Sequence, residues 1–243
     1  MDPRLAIIER RLAPIDRILA TSGGKGGIGK SLVAATLALD LAQRGLRVGL
    51  LDLDFTGPCA HIVLGAKTEL PAEDFGILPP VAHGIHFMSI AHFTGAHPVP
   101  LRGEALSNAL VELLAITRWS SLDFLIIDMP PGLGDMKLDA ARLIPRAEYL
   151  LIATASRLVL ETVERALVLL SQLELRVAGL VENMNRQPST AVADLAVAHA
   201  VPHLGQLPFD PAIEDAFGQV QRMAKTNFSR ALHAVSQQLI RGV

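Results

Sequence analysis

Short aliphatic runs alternate with longer segments of helical periodicity along most of the chain. The runs predict seven strands, at residues 17–20, 48–53, 85–90, 124–128, 149–153, 177–181 and 202–207. The segments between them predict helices at residues 30–44, 104–117, 158–173 and 191–200. This alternation is typical of an α/β fold, in which a twisted, mostly parallel sheet of about seven or eight strands carries helices on both faces.

Both ends of the chain predict further helices. Residues 1–16 show an amphipathic pattern, and residues 17–243 are predicted to form a single domain. Near the C-terminus, residues 228–240 predict a helix whose apolar stripe packs on the sheet.

The segment 65–97 departs from this alternation. It is rich in proline, glycine and histidine around one predicted strand, which predicts mobile loops near a functional site. Its histidines include His83, His86, His92 and His97. Their spacing on a loop does not distinguish a metal site from solvated side chains, and the second interpretation is favoured.

Composition limits the possible partners and compartments. Half of the residues are hydrophobic but only 4% are aromatic, so the core must be mainly aliphatic. The net charge of −2, without a block of like charges, gives no indication of a nucleic-acid partner. No apolar run approaches the roughly 20 residues that span a bilayer, and the N-terminus lacks the apolar core of a signal peptide. These features favour a cytoplasmic protein without stable membrane insertion.

A glycine-rich loop carries the strongest chemical signal. Residues 24–31, Gly-Lys-Gly-Gly-Ile-Gly-Lys-Ser, fit the pattern G-x-x-x-x-G-K-[ST] between a predicted strand and a predicted helix. Glycines let backbone N–H groups close around phosphate oxygens, and the helix N-terminus adds positive potential. Lys30 is expected to reach the β- and γ-phosphates of a nucleotide, and the Ser31 hydroxyl is expected to bind Mg²⁺. The predicted nucleotide-binding residues here are Gly24, Lys25, Gly26, Gly27, Ile28, Gly29, Lys30, Ser31 and Leu32.

Lys25 is a second lysine at the start of the same loop. A P-loop needs only the later lysine, and the extra one resembles the signature lysine of the deviant Walker A ATPases: the nitrogenase iron protein, MinD, ParA and the Mrp ATPases. The resemblance implies that Lys25 reaches across a nucleotide-sandwich dimer to the phosphates of the second subunit, in the manner of an arginine finger. A solvated surface lysine is the alternative.

Three aspartates lie at the ends of predicted strands. Because carboxylates at the C-terminal ends of parallel strands face the ligand crevice, Asp128 is the candidate Walker B residue that holds Mg²⁺ through water. Asp52 and Asp54 would share one face of a strand. One of the two is expected to orient the attacking water and the other to support the metal; Asp54 is favoured for the water. An N-capping role at the end of the strand is the alternative for either aspartate.

Pro130, Pro131 and Gly132 follow Asp128 in the sequence. Gly132 can present its N–H to the γ-phosphate, while the prolines stiffen the turn. These residues predict a switch that senses whether the third phosphate is present. The candidate catalytic residues are thus Lys25, Lys30, Asp52 and Asp54, and the candidate metal ligands are Ser31, Asp54 and Asp128.

Further blocks of sequence resemble the Mrp (ApbC/Nbp) family of P-loop ATPases. Residues 122–135 are similar to that family's LDYLVIDLPPGTGD, and residues 54–58 resemble its D-x-x-G-P. Residues 101–103 with Trp119 resemble its W-R-G and V-x-W positions, and residues 181–185 resemble its VENMS. MinD and ParA share the loop and the aspartates but usually not these blocks, which here extend over nearly the whole chain.

The resemblance implies a homodimer that binds ATP between its subunits and carries or helps to insert iron–sulfur clusters. Its client would be another protein, such as an iron–sulfur protein or metalloprotein. The resemblance also implies that Asn183 hydrogen-bonds the adenine and that the loop with Pro208, Phe209 and Asp210 packs against the base. A turn asparagine is the alternative for Asn183.

The chain departs from the family at the cluster-binding motif. Members that bind a cluster carry C-P-x-C shortly after the VENMS block, whereas residues 185–193 contain no cysteine. Cys59 is the single cysteine, which excludes an internal disulfide framework and gives a dimer only two thiolates. The sequence therefore predicts that the chain does not hold the family's bridging cluster in the usual way. Cys59 is interpreted as a small apolar residue near the site, with a reactive thiol as the alternative.

The predicted function is ATP binding and slow, partner-stimulated hydrolysis that drives a dimer switch in iron–sulfur or metallocofactor assembly. The alternative is a positioning or regulatory switch like MinD or ParA, which controls a protein partner without carrying a cluster. A basic amphipathic terminal helix would favour MinD and a basic surface patch would favour ParA. Neither feature is evident in the sequence.

Overall fold

Eight strands form one sheet in the computed structural model, which describes residues 2–95, 101–132 and 134–242. The strands are β1 (Ile15–Ser22), β2 (Val48–Asp52), β3 (Val81–Ala82), β4 (Ile85–Ser89), β5 (Leu122–Asp128), β6 (Glu148–Ala153), β7 (Val177–Asn185) and β8 (His203–Pro208). Their order across the sheet is β3-β4-β2-β5-β1-β6-β7-β8. All neighbouring strands are parallel except β3 and β4.

Ten α-helices and a short 3-10 helix precede, connect and follow the strands in the described ranges. The helices are α1 (Arg4–Leu12), α2 (Lys30–Gln43), α3 (Ala60–Leu64), α4 (Ala91–Thr94), α5 (Glu104–Ile116), α6 (Asp135–Leu143), α7 (Arg157–Gln172), α8 (Ala191–Ala198), α9 (Val220–Met223) and α10 (Asn227–Arg241). The 3-10 helix spans Pro211–Ala216. No helix in this part of the chain has both the length and the apolar character needed to cross a bilayer.

The helices cover both faces of the sheet. Helix α2 packs on the central strands and contacts α3 and α10. Helix α5 contacts both α1 and α6, and α7 and α8 pack on β6, β7 and β8. Right-handed crossovers that run in opposite directions along a sheet place their helices on opposite faces. Accordingly, α2 and α3 lie on one face and α5 to α8 on the other, as the sequence pattern predicted.

The central strands are buried on both sides. Every residue of β2 and of β6 is buried, which explains why these strands stand out in the sequence as continuous aliphatic runs rather than as alternating patterns. All seven predicted strands and all five internal or C-terminal helices are present within a few residues of their expected bounds. The pattern missed β3 and the helices α3, α4, α6 and α9, none of which exceeds nine residues.

The N-terminal helix packs against α5 and buries Ile8 and Leu12. Because β1 begins at Ile15, the last two residues of the predicted helical segment 1–16 belong to the sheet. The division of the chain into this segment and a P-loop ATPase domain at 17–243 stays a prediction.

The segment rich in proline, glycine and histidine holds β3, β4 and α4 at one edge of the sheet. His83 Nε2 lies 3.0 Å from the Leu64 carbonyl oxygen, and His92 Nδ1 lies 3.0 Å from that of Glu69. His97 lies outside the described residues. Among the residues that are described, no group of three or more His, Cys, Asp or Glu side chains is arranged to hold a metal ion.

Candidate nucleotide-binding site

The glycine-rich loop joins the C-terminal end of β1 to the N-terminus of α2. Helix α2 begins at Lys30, and Gly29 precedes it with a φ of 83°. A Cβ atom at Gly29 would lie 2.3 Å from Asn183 Nδ2, so glycine is required both for its conformation and for its small size. No side chain in the described ranges caps α2, which leaves the first N–H groups of the helix available to an anion.

The two lysines of the loop lie in different environments. Lys30 is buried, and its Nζ lies 3.4 Å from the carbonyl oxygen of Lys25. Burial lowers the pKa of Lys30, while the carboxylates of Asp128 and Asp54 oppose this change. The Lys25 side chain is exposed and can therefore reach a second molecule.

Asp52 and Asp128 pair in register on the neighbouring strands β2 and β5, and both are fully buried. Asp52 accepts hydrogen bonds from the backbone N–H groups of Asp54, at 3.0 Å, and Ala60, at 3.3 Å. Neither carboxylate oxygen of Asp128 makes a hydrogen bond of good geometry within the described residues, although the nearby hydroxyls of Ser31 and Thr21 oppose the effect of burial on its pKa. Burial, followed by repulsion from Asp128, raises the pKa of Asp52 well above its usual value. Burial also raises the pKa of Asp128 to about 6.

This pair of carboxylates is suited to a bound cation. A buried carboxylate without a partner is costly, and two neighbouring ones repel each other. A hydrated divalent cation near Asp128 would supply the missing positive charge and hydrogen-bond donors. The oxygen donors of Asp128 and of Ser31, at the start of α2, are of the type that Mg²⁺ prefers. The residues present therefore fit the magnesium site that the sequence predicts.

Asp54 lies beyond the end of β2, which corrects one expectation. Because β2 ends at Asp52, the two aspartates do not share a strand face. The Asp54 carboxylate accepts hydrogen bonds from the Thr56 hydroxyl, at 2.8 Å, and from the Gly57 N–H, at 3.0 Å. It thereby stabilises a tight turn, the capping role considered for these aspartates, and it remains only half-buried beside the loop.

Cys59 follows this turn and is exposed at the N-terminus of α3. Although the residue is exposed, partial burial of its sulfur, followed by the charges of Asp52 and Asp54, raises the pKa of the thiol. A raised pKa disfavours the nucleophilic thiolate, which argues against the alternative of a reactive thiol.

The residues that follow Asp128 remain close to the P-loop. The Met129 N–H donates a hydrogen bond to the Thr21 carbonyl oxygen at 3.1 Å. A Cβ atom at Gly26 would lie 3.7 Å from the Cβ of Pro131. Pro131 thus borders the loop, whereas Leu133 lies outside the described residues; the role of Gly132 as a phosphate sensor stays a prediction.

The residues assigned to the adenine lie at the C-terminal ends of the neighbouring strands β7 and β8. Asn183 is buried and donates a hydrogen bond to the Ile28 carbonyl oxygen at 2.8 Å, which joins β7 to the P-loop. Pro208 ends β8, and the guanidinium of Arg186 lies 3.7 Å from the centroid of the Phe209 ring. Arg186 was not predicted from the sequence. A basic residue and an aromatic ring can be recognised as a cation–π pair only when the structure brings them together.

Asp210 has a structural role in this loop. Its carboxylate accepts hydrogen bonds from the backbone N–H groups of Ala212, at 3.1 Å, and Asn227, at 2.7 Å. It therefore caps the 3-10 helix and fixes the start of α10. Direct contact between Asp210 and a base stays a prediction.

Lys137 is a second residue that the sequence reasoning missed. It lies on α6 and is buried, and its Nζ donates a hydrogen bond to the Gly23 carbonyl oxygen at 2.7 Å. Burial, followed by repulsion from Lys30, lowers its pKa to about 7. One feature could have indicated it: Lys137 lies on the buried face of α6, whose other buried residues are Met136, Ala140 and Ala141.

Comparison with known protein families matches residues 14–243 to the ParA family, described as NUBPL iron-transfer P-loop NTPase. An iron-sulfur cluster carrier protein from Mycobacterium tuberculosis is 39% identical over 217 residues, which are 82% of this chain and 57% of that protein. An iron-sulfur cluster carrier protein from Escherichia coli K12 is 38% identical over 174 residues, which are 70% of this chain and 47% of that protein. The chain thus spans about half the length of the curated relatives it matches.

Solved structures show the same architecture. A nucleotide-binding protein from Archaeoglobus fulgidus, in complex with ADP, is 28% identical with a TM-score of 0.76, over 91% of this chain and 93% of that one. The cell division ATPase MinD from Pyrococcus furiosus is 22% identical with a TM-score of 0.70, over 93% of this chain and 99% of that one. The second likeness concerns the fold alone.

Proposed function

Because the chain belongs to the ParA family of NUBPL-type iron-transfer P-loop NTPases, we propose that it is a dimeric switch driven by ATP binding and hydrolysis. We propose that this switch acts in the assembly or transfer of iron–sulfur clusters or related metallocofactors. The observation that carries the proposal is the junction of β1, the P-loop and α2 beside the buried pair Asp52 and Asp128. The single cysteine is compatible with the reducing cytoplasm, where we propose that the protein acts.

In this proposal, the N–H groups of residues 24–32 bind the phosphates of ATP. Lys30 leaves the carbonyl oxygen of Lys25 for the β- and γ-phosphates, whose charge favours its protonated form. Asn183 and Phe209 contact the adenine, and Asp210 holds the loop that carries Phe209. The buried position of Asn183 beside Ile28 supports this assignment, because it brings the amide next to the P-loop backbone.

Mg²⁺, when bound, neutralises charge that develops on the phosphates during hydrolysis. Ser31 and Asp128 would hold it, with Asp128 acting through water, and Asp54 would support it from the turn after β2. Asp52 and Asp54 are the candidates to orient the attacking water, and Gly132 would present its N–H to the γ-phosphate.

Hydrolysis by a single copy of the chain should be slow. Lys25, the loop cation assigned to charge stabilisation across the dimer, would reach the phosphates of a second subunit rather than those of its own. The rate would therefore depend on the dimer, and on any partner that favours the dimer.

The chain does not fit an iron–sulfur cluster held entirely by its own thiolates, because Cys59 is its only cysteine. We therefore propose that a client or partner protein supplies ligands for the cluster that is transferred. The competing proposal is that ATP controls a protein partner and that no cluster is involved; the observation that favours it is the single cysteine.

The P-loop assignment is tested by the substitution Lys30→Ala. Loss of the ammonium beside the β- and γ-phosphates should abolish binding of a fluorescent ATP analogue. The control is Lys67→Ala, because the Lys67 side chain is 85% exposed on the surface. Unchanged affinity in Lys30→Ala would show that nucleotide does not bind at this loop.

A further inference from the structure

Lys137 is a buried cation to which the reaction described above gives no role. It lies in the first turn of α6 with only 7% of its surface exposed. Its Nζ donates a hydrogen bond to the carbonyl oxygen of Gly23 at 2.7 Å, across 114 residues of sequence. The contact is therefore a tertiary one, made between two elements that border the phosphate site.

The position is an unfavourable one for a lysine. Its neighbours on the buried face of α6 are Met136, Ala140 and Ala141, which offer no strong hydrogen-bond acceptors from their side chains. Burial and the like charge of Lys30 both oppose the protonated form. An apolar side chain would avoid this cost and extend the buried face, so packing alone does not account for a lysine here.

The hydrogen bond joins two segments with different roles in the site. Gly23 lies between the last residue of β1 and the P-loop. Lys137 lies in the helix that follows Asp128 and Pro131 in the chain, and Pro131 borders the P-loop at Gly26. Because of this hydrogen bond, a displacement of Gly23 would also displace the start of α6.

We propose that Lys137 is a positioning residue that couples the P-loop to residues 129–132. Its hydrogen bond to Gly23 holds the start of α6 against the loop entrance, so that nucleotide in the loop orders the segment that carries Gly132. Phosphates in the loop add negative charge near the ammonium and strengthen this arrangement. The inference rests on the proposed ATP-dependent function.

The decisive measurement is hydrogen–deuterium exchange of residues 129–143 with and without a non-hydrolysable ATP analogue. The wild-type chain and the control Lys67→Met, whose lysine side chain is 85% exposed, should show slower exchange there when the analogue binds. Lys137→Met, which keeps much of the length of the side chain but donates no hydrogen bond, should lose most of this difference. Lys137→Arg, which restores the donor and the charge, should recover part of it.

Kinetics provide the second readout. Loss of one hydrogen bond from a charged donor should lower kcat by about tenfold in Lys137→Met. KM for ATP should change by less than about threefold, because the phosphate-binding groups of the loop remain. If Lys137→Met does not fold, Lys137→Leu is measured in its place with the same expectations.

Unchanged coupling and unchanged kcat in the apolar variant would overturn the inference and leave the ATPase proposal intact. Equal loss of nucleotide affinity and turnover would also overturn it, because Lys137 would then act in ground-state binding. Failure of the wild-type chain to bind the analogue at all would instead refute the proposed function.

Discussion

The aspartates beside the P-loop owe their properties to the strands that bury them. Asp52 and Asp128 end adjacent strands in register, and each is removed from water beside the other and the P-loop. Asp54 is two residues further on, where the chain has left the sheet and the carboxylate caps a turn. A difference of two positions thus separates a buried charge from a half-exposed one.

Substitution of these aspartates separates turnover from binding. Asp54→Asn, or failing that Asp52→Asn, should retain ATP, lower kcat by about a hundredfold and stabilise the ATP-bound dimer. The carboxylate that orients water contributes mainly to the transition state, so binding of a fluorescent analogue should persist. Asp74→Asn is the control, because the Asp74 side chain is 53% exposed and pairs with Arg118 on the surface. If both variants hydrolyse ATP at the wild-type rate, another group orients the water.

The pKa of Lys137 predicts a pH dependence of stability in the absence of nucleotide. Burial lowers its pKa to about 7 from 10.5, so between these values the unfolded chain binds a proton that the folded chain does not. The free energy of unfolding should therefore rise with pH in this window. From pH 7 to pH 9 the wild-type chain should gain about 2 kcal/mol relative to Lys137→Met, measured by urea denaturation. Parallel pH profiles for the two proteins would show that the folded-state pKa is not depressed.

The short helix α3 is held in place by a close contact between two glycines. Helix α3 is followed by Gly65, whose φ is 61°, and the backbone of Gly218 passes directly beside this glycine. A Cβ atom at Gly65 would lie 2.5 Å from the Cα of Gly218. This contact fixes α3, which follows Asp54 and Cys59, against the turn before α9.

Two glycines with left-handed backbone conformations allow two costs of a glycine-to-alanine substitution to be measured separately, namely conformational strain and steric overlap. Gly45, at φ 82°, has no neighbouring atom within 4 Å of the position that a Cβ would occupy, so Gly45→Ala should cost about 1 kcal/mol from strain alone. Gly65→Ala should cost about 3 kcal/mol, because its methyl group also displaces the Gly218 backbone. Thermal or urea denaturation of both variants measures the difference. Equal losses would indicate that the turn at Gly218 yields without cost.

The molecule as a whole presents its phosphate site at the edge formed by the C-terminal ends of β1, β2 and β5. Lys25 is exposed there, and a triphosphate bound to the loop would add strong negative charge to the same surface. Two such surfaces brought face to face would repel each other unless each contributed a cation to the other. This reasoning links the exposed lysine to an ATP-dependent dimer.

Lys25→Ala should bind ATP as a monomer but neither dimerise with it nor hydrolyse it. The backbone carbonyl that accepts from Lys30 is retained in this variant, so the loop itself should keep its conformation. Size-exclusion chromatography with light scattering, run with a non-hydrolysable analogue, should give a dimer mass for the wild-type chain only. An equal shift of both proteins would mean that Lys25 does not act across an interface.

The lone cysteine predicts the outcome of cluster reconstitution. After anaerobic incubation with iron and sulfide followed by desalting, the purified chain should show no stable absorbance near 400 nm, roughly where such clusters absorb. Cys59→Ser is the matched control and should give the same spectrum as the wild-type chain. A persistent band that requires Cys59 would restore a direct carrier role for the dimer.

The sequence was sufficient to predict the P-loop, the seven strands and the positions of Asp52 and Asp128 at strand ends. These features depend on local patterns and on the rule that the C-terminal ends of parallel strands lie at the same edge of a sheet. The sequence was not sufficient for the turn held by Asp54, for the pairing of Asn183 with Ile28, or for Lys137. Those features depend on where a strand ends, on residues far apart in the chain, or on a helix too short to show a periodicity. A buried lysine and a solvated one are identical in sequence, and only the packing of α6 against the loop entrance distinguishes them.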